Sequence, residues 1–241
     1  MGVTLLFIHG AGGNHEIWEN QINYFSNAIA IDLPGHYAGK GRRTIEEYVE
    51  DVKRLCDEKS LKDFIMIGHS MGGAITQKFV LTYPKYLRAI VLVSTGAKLR
   101  VAPIIFEEIK RNYDNVLELM KKYAFSEKTP IEIKNKAVEI MKRVKPDVFY
   151  GDFEACDKFD VMDSLNKIKL PTLIICGRDD LLTPVKFSEY LRANIPNSTL
   201  KVLDDAGHMV MLEKPKEFNK ILEEFISSLG INPKGINFRT L

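Results

Sequence analysis

Ser70 sits in Gly68-His69-Ser70-Met71-Gly72, with Gly73 directly after it. A serine hydroxyl is a poor nucleophile until a base removes its proton. Glycines on both sides permit a turn so tight that a side chain at position 68 or 72 would meet neighbouring backbone. Such a turn leaves Ser70 exposed, and a helix starting at residue 71 would aim its positive end at developing negative charge. Among five histidines, His208 in Asp205-Ala206-Gly207-His208-Met209 is the candidate base. A base of this kind needs a carboxylate to fix its tautomer and stabilise its imidazolium. Gly177-Arg178-Asp179-Asp180 offers two. Asp180, three residues past the glycine, is preferred, and Asp179 stays open as the alternative. An oxyanion needs two backbone N–H donors, each worth about 3–4 kcal/mol of barrier. Met71, next to the serine, and Ala11, in His9-Gly10-Ala11-Gly12-Gly13, are expected to supply them. His69 should point away as part of the turn, His9 belongs to the glycine-rich loop, and His15 and His36 receive no role.

These residues need a frame that brings distant loops to one edge. Short apolar runs at 3–8, 28–31, 64–67, 89–93, 172–176 and 199–203 are nearly continuous in Val, Ile, Leu and Phe. That pattern suits strands buried on both faces of a parallel sheet. Helical patterns separate them. Residues 44–59 keep Ile45, Tyr48, Val49, Val52, Leu55 and Cys56 on one face. Thr44 and Glu47 form a capping box ahead of that face. Residues 70–82 follow the third run, Thr183-Pro184 reads as an N-cap with proline at the first helical position, and 217–229 is a last amphipathic helix stopped at Gly230. The tail from Asn232 has no pattern and is expected to be loosely held. Alternation of this kind predicts an α/β fold with right-handed crossovers. The motifs fall at the ends of strands: Ser70 after the third run, the aspartates after the fifth, His208 after the sixth. Residues 97–166 break the alternation, are helix-rich with a modest excess of Lys and Arg, and are expected to form an insertion between core segments 1–96 and 167–241.

At 241 residues, with 45% hydrophobic and 27% charged residues, the chain reads as one large domain able to bury its own core. A net charge of +2 calls for neither nucleic acid nor an anionic membrane as partner. Three widely spaced cysteines without a C-x-x-C pair make a disulfide framework or zinc site unexpected and fit a reducing, cytoplasmic setting. No apolar run approaches the roughly 20 residues that span a bilayer, and the first is too short for a signal sequence.

With these pieces together the sequence resembles the α/β-hydrolase superfamily over nearly its whole length. The resemblance rests on His9-Gly10, Asp32-Leu33-Pro34-Gly35-His36, Gly68-His69-Ser70-Met71-Gly72-Gly73, Gly177-Arg178-Asp179-Asp180 and Gly207-His208, in the family's order. The order Ser70, Asp180, His208 is that superfamily's, and Gly68 to Gly72 looks like its nucleophile elbow. The turn at Asp32 is the loosest match. The resemblance implies a twisted, mostly parallel sheet with a helical cap, which residues 97–166 would form. It also implies two further N-terminal strands for which the chain has no room, so about six strands are expected.

The expected reaction is hydrolysis of carboxylic esters with small or medium acyl chains through an acyl-enzyme, without cofactor or metal. Ile105, Phe106, Leu182 and Met209 are the expected substrate contacts, the first two within an apolar stretch that also holds Ile104, Tyr113, Leu117 and Phe125. The alternative is a relative with the same residues acting on a carboxylated metabolite: a carbon–carbon hydrolase, a lactonase, or a lyase making a menaquinone precursor. That reading needs Arg100, Arg111 or Arg143 turned inward. A third class, a ligand receptor or scaffold, is disfavoured by the complete set of reactive residues. The partner is a small-molecule ester, with no stable membrane association, and the chain is a monomer or homodimer. A histidine base predicts activity falling on the acid side of neutrality.

Overall fold

The computed structural model describes residues 3–233. Its frame is one six-stranded sheet: β1 Leu5–Ile8, β2 Ala28–Ile31, β3 Phe64–His69, β4 Leu87–Val93, β5 Thr172–Gly177 and β6 Ser198–Leu203. The order is β2-β1-β3-β4-β5-β6, and every neighbouring pair is parallel. The six-stranded α/β-hydrolase fold expected from the sequence is the one observed. The patternless tail expected from Asn232 lies almost wholly outside the described residues.

Between the strands run α1 Glu19–Tyr24, α2 Ile45–Glu58, α3 Met71–Thr82, α4 Pro103–Arg111, α5 Tyr113–Tyr123, α6 Ile131–Lys142, α7 Pro146–Lys158 and α8 Val185–Asn194, and after the last strand come α9 Val210–Glu213 and α10 Pro215–Ser228. Helices α4 to α7 fall in the interval where strand–helix alternation stops. Side chains along the buried strands alternate between two apolar clusters, as a pleated sheet requires. Leu6, Ile8, Met66, Ile90, Leu92 and Ile174 pack with Tyr48, Val49, Phe79 and Leu191 of α2, α3 and α8. Leu5, Phe7, Ile65, Ile67, Val91 and Ile175 pack with Trp18 and with Phe218, Leu222 and Ile226 of α10. A third cluster, with Ile109, Val116, Leu117, Val138, Met141 and Phe149, lies among α4 to α7.

The topology explains how distant loops meet. From β1 the chain goes to β2 on one side, then returns to β3 on the other. Such a reversal leaves a crevice at the carboxyl ends of the strands, where open α/β sheets bind ligands. Because Ile8 is in register with Gly68, the loop after β1 lies beside the turn after β3. The β5 and β6 ends follow along the same edge. Among the described residues no helix is long and apolar enough to cross a membrane.

One local expectation is corrected. Thr183 does not cap α8, which begins at Val185 with Pro184 ahead of it. Its hydroxyl donates instead to Asp180 Oδ2 at 2.7 Å.

Candidate active site

Ser70 holds φ 53° and ψ −116°, a backbone conformation rare for any residue with a side chain. Its surroundings enforce it. The Ser70 amide donates to the Val93 carbonyl at 2.9 Å, and the Ser70 carbonyl accepts from Gly73 N–H at 2.8 Å and Thr95 Oγ1 at 2.8 Å. The flanking glycines are required by contact. A Cβ at Gly72 would lie 2.4 Å from the Ile8 carbonyl oxygen, and one at Gly68 2.1 Å from that of Gly72. The turn therefore presses against the end of β1, and α3 starts directly below the serine.

Asp180 is buried at the end of β5. Its Oδ2 lies 2.9 Å from His208 Nδ1 and its Oδ1 at 3.2 Å. The amides of Leu182 and Thr183 donate to Oδ1 at 2.9 and 2.8 Å. Burial alone would raise this carboxyl, but the His208 ring and the Thr183 donors outweigh it and hold it below the usual carboxylate range. A carboxylate opposite Nδ1 makes Nδ1 the protonated nitrogen of neutral His208 and leaves Nε2 as the basic one. Asp179, by contrast, is exposed and accepts from Ser126 Oγ at 2.6 Å. The Ser70 hydroxyl makes no hydrogen bond among the described residues. Base and nucleophile commonly close up only in the substrate complex.

His69 does not point away. Its Nε2 lies 3.0 Å from the His208 carbonyl oxygen, and the two rings stand 4.7 Å apart. A carbonyl only accepts, so Nε2 carries the proton and the ring is neutral. Burial, and then the neighbouring His208, lower its pKa to about 3. His36, which the sequence left without a role, is buried against Asp152 of α7, with Nε2 2.8 Å from Oδ2.

Ser70 and His208 line one cavity of about 320 Å³, with Ala11 and the expected contacts Ile105, Leu182 and Met209. Phe106 is not on its wall: it packs edge-on against the Tyr150 ring at 5.2 Å. Of the apolar stretch expected to face substrate, Ile105 alone reaches the cavity, because Leu117 and Tyr113 turn into the third cluster and Ile104 is 55% exposed. Much of the wall comes instead from Met120 of α5 and from Ala137, Ile140 and Met141 of α6. Positions 137, 140 and 141 share one helix face, a spacing visible in the sequence but common to any packed helix. Arg111 pairs with Glu108 and Arg143 with Glu16. Arg100 lines the cavity and stands 3.9 Å from Asp157. Among the described residues no group of three or more His, Cys, Asp or Glu side chains is arranged to hold a metal.

The frame and its loop-borne site match a family model described as alpha/beta hydrolase family over residues 5–221, and the chain belongs to that family. Its fold superposes with a TM-score of 0.83 on the structure of a thermophilic esterase, 37% identical, the match covering 95% of this chain and 91% of the other. It is 29% identical over 234 residues to 3-oxoadipate enol-lactonase 2 of Acinetobacter baylyi, spanning 91% of this chain and 87% of that one. It is 28% identical over 250 residues to the pimeloyl-[acyl-carrier protein] methyl ester esterase of Wigglesworthia glossinidia brevipalpis, spanning 95% of each.

Proposed function

We propose that the protein is a serine hydrolase that cleaves carboxylic esters of small or medium acyl chains through an acyl-enzyme. The observation that carries this reading is the buried Asp180–His208 contact beside the cavity that Ser70 enters on a strained turn. His208 Nε2 takes the Ser70 proton as Oγ attacks the ester carbonyl. The oxyanion so formed accepts from the amides of Ala11 and Met71, neither of which donates to any group among the described residues. His208 returns the proton to the leaving alkoxide, the alcohol departs, and an acyl-serine remains. Water, activated by the same nitrogen, then releases the carboxylic acid and restores Ser70. In this reading residues 97–166 are a cap on a core of 1–96 and 167–241, and no partner beyond the small-molecule substrate is needed.

The test is hydrolysis of p-nitrophenyl esters of increasing chain length. Ser70→Ala abolishes turnover, and Asp180→Asn lowers kcat by roughly four orders of magnitude through loss of the correct tautomer. Asp179→Asn, away from the base, stays near wild type. Full activity in Ser70→Ala would end the proposal.

One observation favours a second reading. Arg100 is the one fixed charge among the cavity's lining residues, which suits an ester or lactone bearing a carboxylate. The enol-lactonase likeness points the same way. Under this reading Arg100→Ala raises KM for a carboxylated ester such as a monoester of a dicarboxylic acid, and leaves KM for a neutral ester unchanged. Equal effects on both would remove it.

A further inference from the structure

Asp152 lies on α7, far in sequence from every proposed reactive residue, and is fully buried. A buried carboxylate is costly unless its oxygens are fully engaged. Here they are. Oδ2 accepts from the Gly12 amide at 2.8 Å and from His36 Nε2 at 2.8 Å, and Oδ1 accepts from the Tyr48 hydroxyl at 2.6 Å. His36 Nδ1 faces the Leu33 carbonyl at 3.2 Å. Both ring nitrogens thus face groups that only accept, so both are donors and His36 is an imidazolium. Burial would lower its pKa, but the Asp152 charge and hydrogen bond outweigh this and raise it.

The chain of contacts continues to the other side of Ala11. The Leu33 amide donates to His9 Nε2 at 3.0 Å, which leaves His9 Nδ1 protonated and 2.8 Å from the Gly10 carbonyl. Gly13 N–H donates to that same carbonyl at 3.1 Å. In a trans peptide the C=O and N–H point in opposite directions. Holding the Gly10 carbonyl inward therefore turns the Ala11 N–H outward, and holding the Gly12 N–H on Asp152 fixes the next peptide. Both torsions of Ala11 are set, one directly by Asp152 and one through His36, Leu33 and His9. The packing agrees: Gly12 has φ +65°, and a Cβ there would overlap the Phe149 ring of α7 at 2.0 Å.

We propose that Asp152 is a positioning residue for the oxyanion loop, so that α7 belongs to the catalytic frame and is not a mobile lid. This rests on the serine-hydrolase reading above. The test compares wild type, Asp152→Asn and Tyr48→Phe. Asp152→Asn keeps one acceptor for Gly12 but loses the charge opposite His36, and Tyr48→Phe frees one carboxylate oxygen without opening a cavity. The readouts are kinact and KI for labelling of Ser70 by a fluorophosphonate, with kcat and KM for p-nitrophenyl acetate. Asp152→Asn is expected to lower kinact and kcat about tenfold, less than loss of an oxyanion donor outright. Tyr48→Phe lowers them about threefold, and KI and KM stay within about twofold in both, since only transition-state contacts are weakened. If Asp152→Asn does not fold, Tyr48→Phe decides alone. Rates equal to wild type in the folded variants, or a loss confined to KI and KM, overturn the inference. A wild type that takes no label at all overturns the serine-hydrolase reading, and this inference with it.

Discussion

Four of the five histidines are buried, and their hydrogen-bond partners divide them among three states. His9 and His69 are neutral because each has a single acceptor to serve, whereas His36 has two. The sequence placed His9 in the glycine-rich loop and His69 in the serine turn, gave His36 no role, and singled out His208 because its loop lies after the last strand. The tautomers were not legible, since each depends on a carbonyl or carboxylate supplied by a remote segment. The choice between Asp179 and Asp180 was open for the same reason: adjacent residues in one turn face opposite ways, and spacing alone does not say which faces inward. These states make a prediction about acid stability. His69 in the folded protein titrates at about 3, below its ordinary 6.5. Between those values the unfolded chain binds a proton that the folded chain refuses, so folding loses stability as pH falls through that window. His9, lowered well below its ordinary value by burial and then by His36, adds in the same direction. His36, raised, acts oppositely: its contribution is complete below 6.5 and is lost as pH rises through its folded pKa. Urea unfolding of wild type and His69→Asn from pH 7 to 4 tests this. The variant should lose less stability than wild type across the interval, and parallel curves would refute the assignment.

Strands and long helices were legible because their signals are local. Continuous apolar runs marked all six strands to within two residues, and the one-sided pattern of residues 44–59 marked α2. Its capping box forms with a variation: Thr44 Oγ1 accepts from Glu47 N–H at 3.3 Å, while the Glu47 carboxylate reaches the Arg43 amide at 3.1 Å. What escaped was set by tertiary contact. The six-residue α1 is too short to show a period, and Thr183 looked like a cap until a buried carboxylate claimed its hydroxyl. The glycines of the serine turn were legible as a requirement, although what they avoid was not. A Cβ at position 72 meets the carbonyl oxygens of Ile8 at 2.4 Å and His9 at 2.6 Å, backbone at the very end of a central strand and just past it, and neither free to yield. Gly72→Ala must therefore push α3 away from β1, at a cost of about 1–3 kcal/mol or more. Because that shift separates Met71 from the loop carrying Ala11, kcat should fall further than stability alone explains. A folded Gly72→Ala protein with an unshifted urea midpoint and full esterase activity would show that the packing is looser than described.

The whole molecule divides labour between a sheet that sets the proposed reactive residues and helices that set the space around them. The sheet edge was predictable from strand order alone, since parallel strands bring every carboxyl end to one side. The cavity wall was not, because α5 and α6 bury apolar residues both in their own cluster and toward the cavity, and a hydrophobic stripe does not announce which. Phe106 was misjudged on this account, and Ala137 was overlooked. Ala137 is buried on α6, touches the second apolar cluster and lines the cavity, so its small side chain leaves volume that a phenyl ring would fill. Ala137→Phe is expected to shift the optimum in a p-nitrophenyl ester series toward shorter acyl chains. Each methylene excluded from an apolar pocket should lower kcat/KM by roughly tenfold or more. The acetate ester, which needs the least of the cavity, should be turned over at near wild-type rates, and the added ring should cost no more than about 1–3 kcal/mol of stability. An unchanged length profile in the folded variant would mean that acyl chains do not extend along α6. The wall formed by Leu99, Val101 and Phe187 would then be the next to narrow.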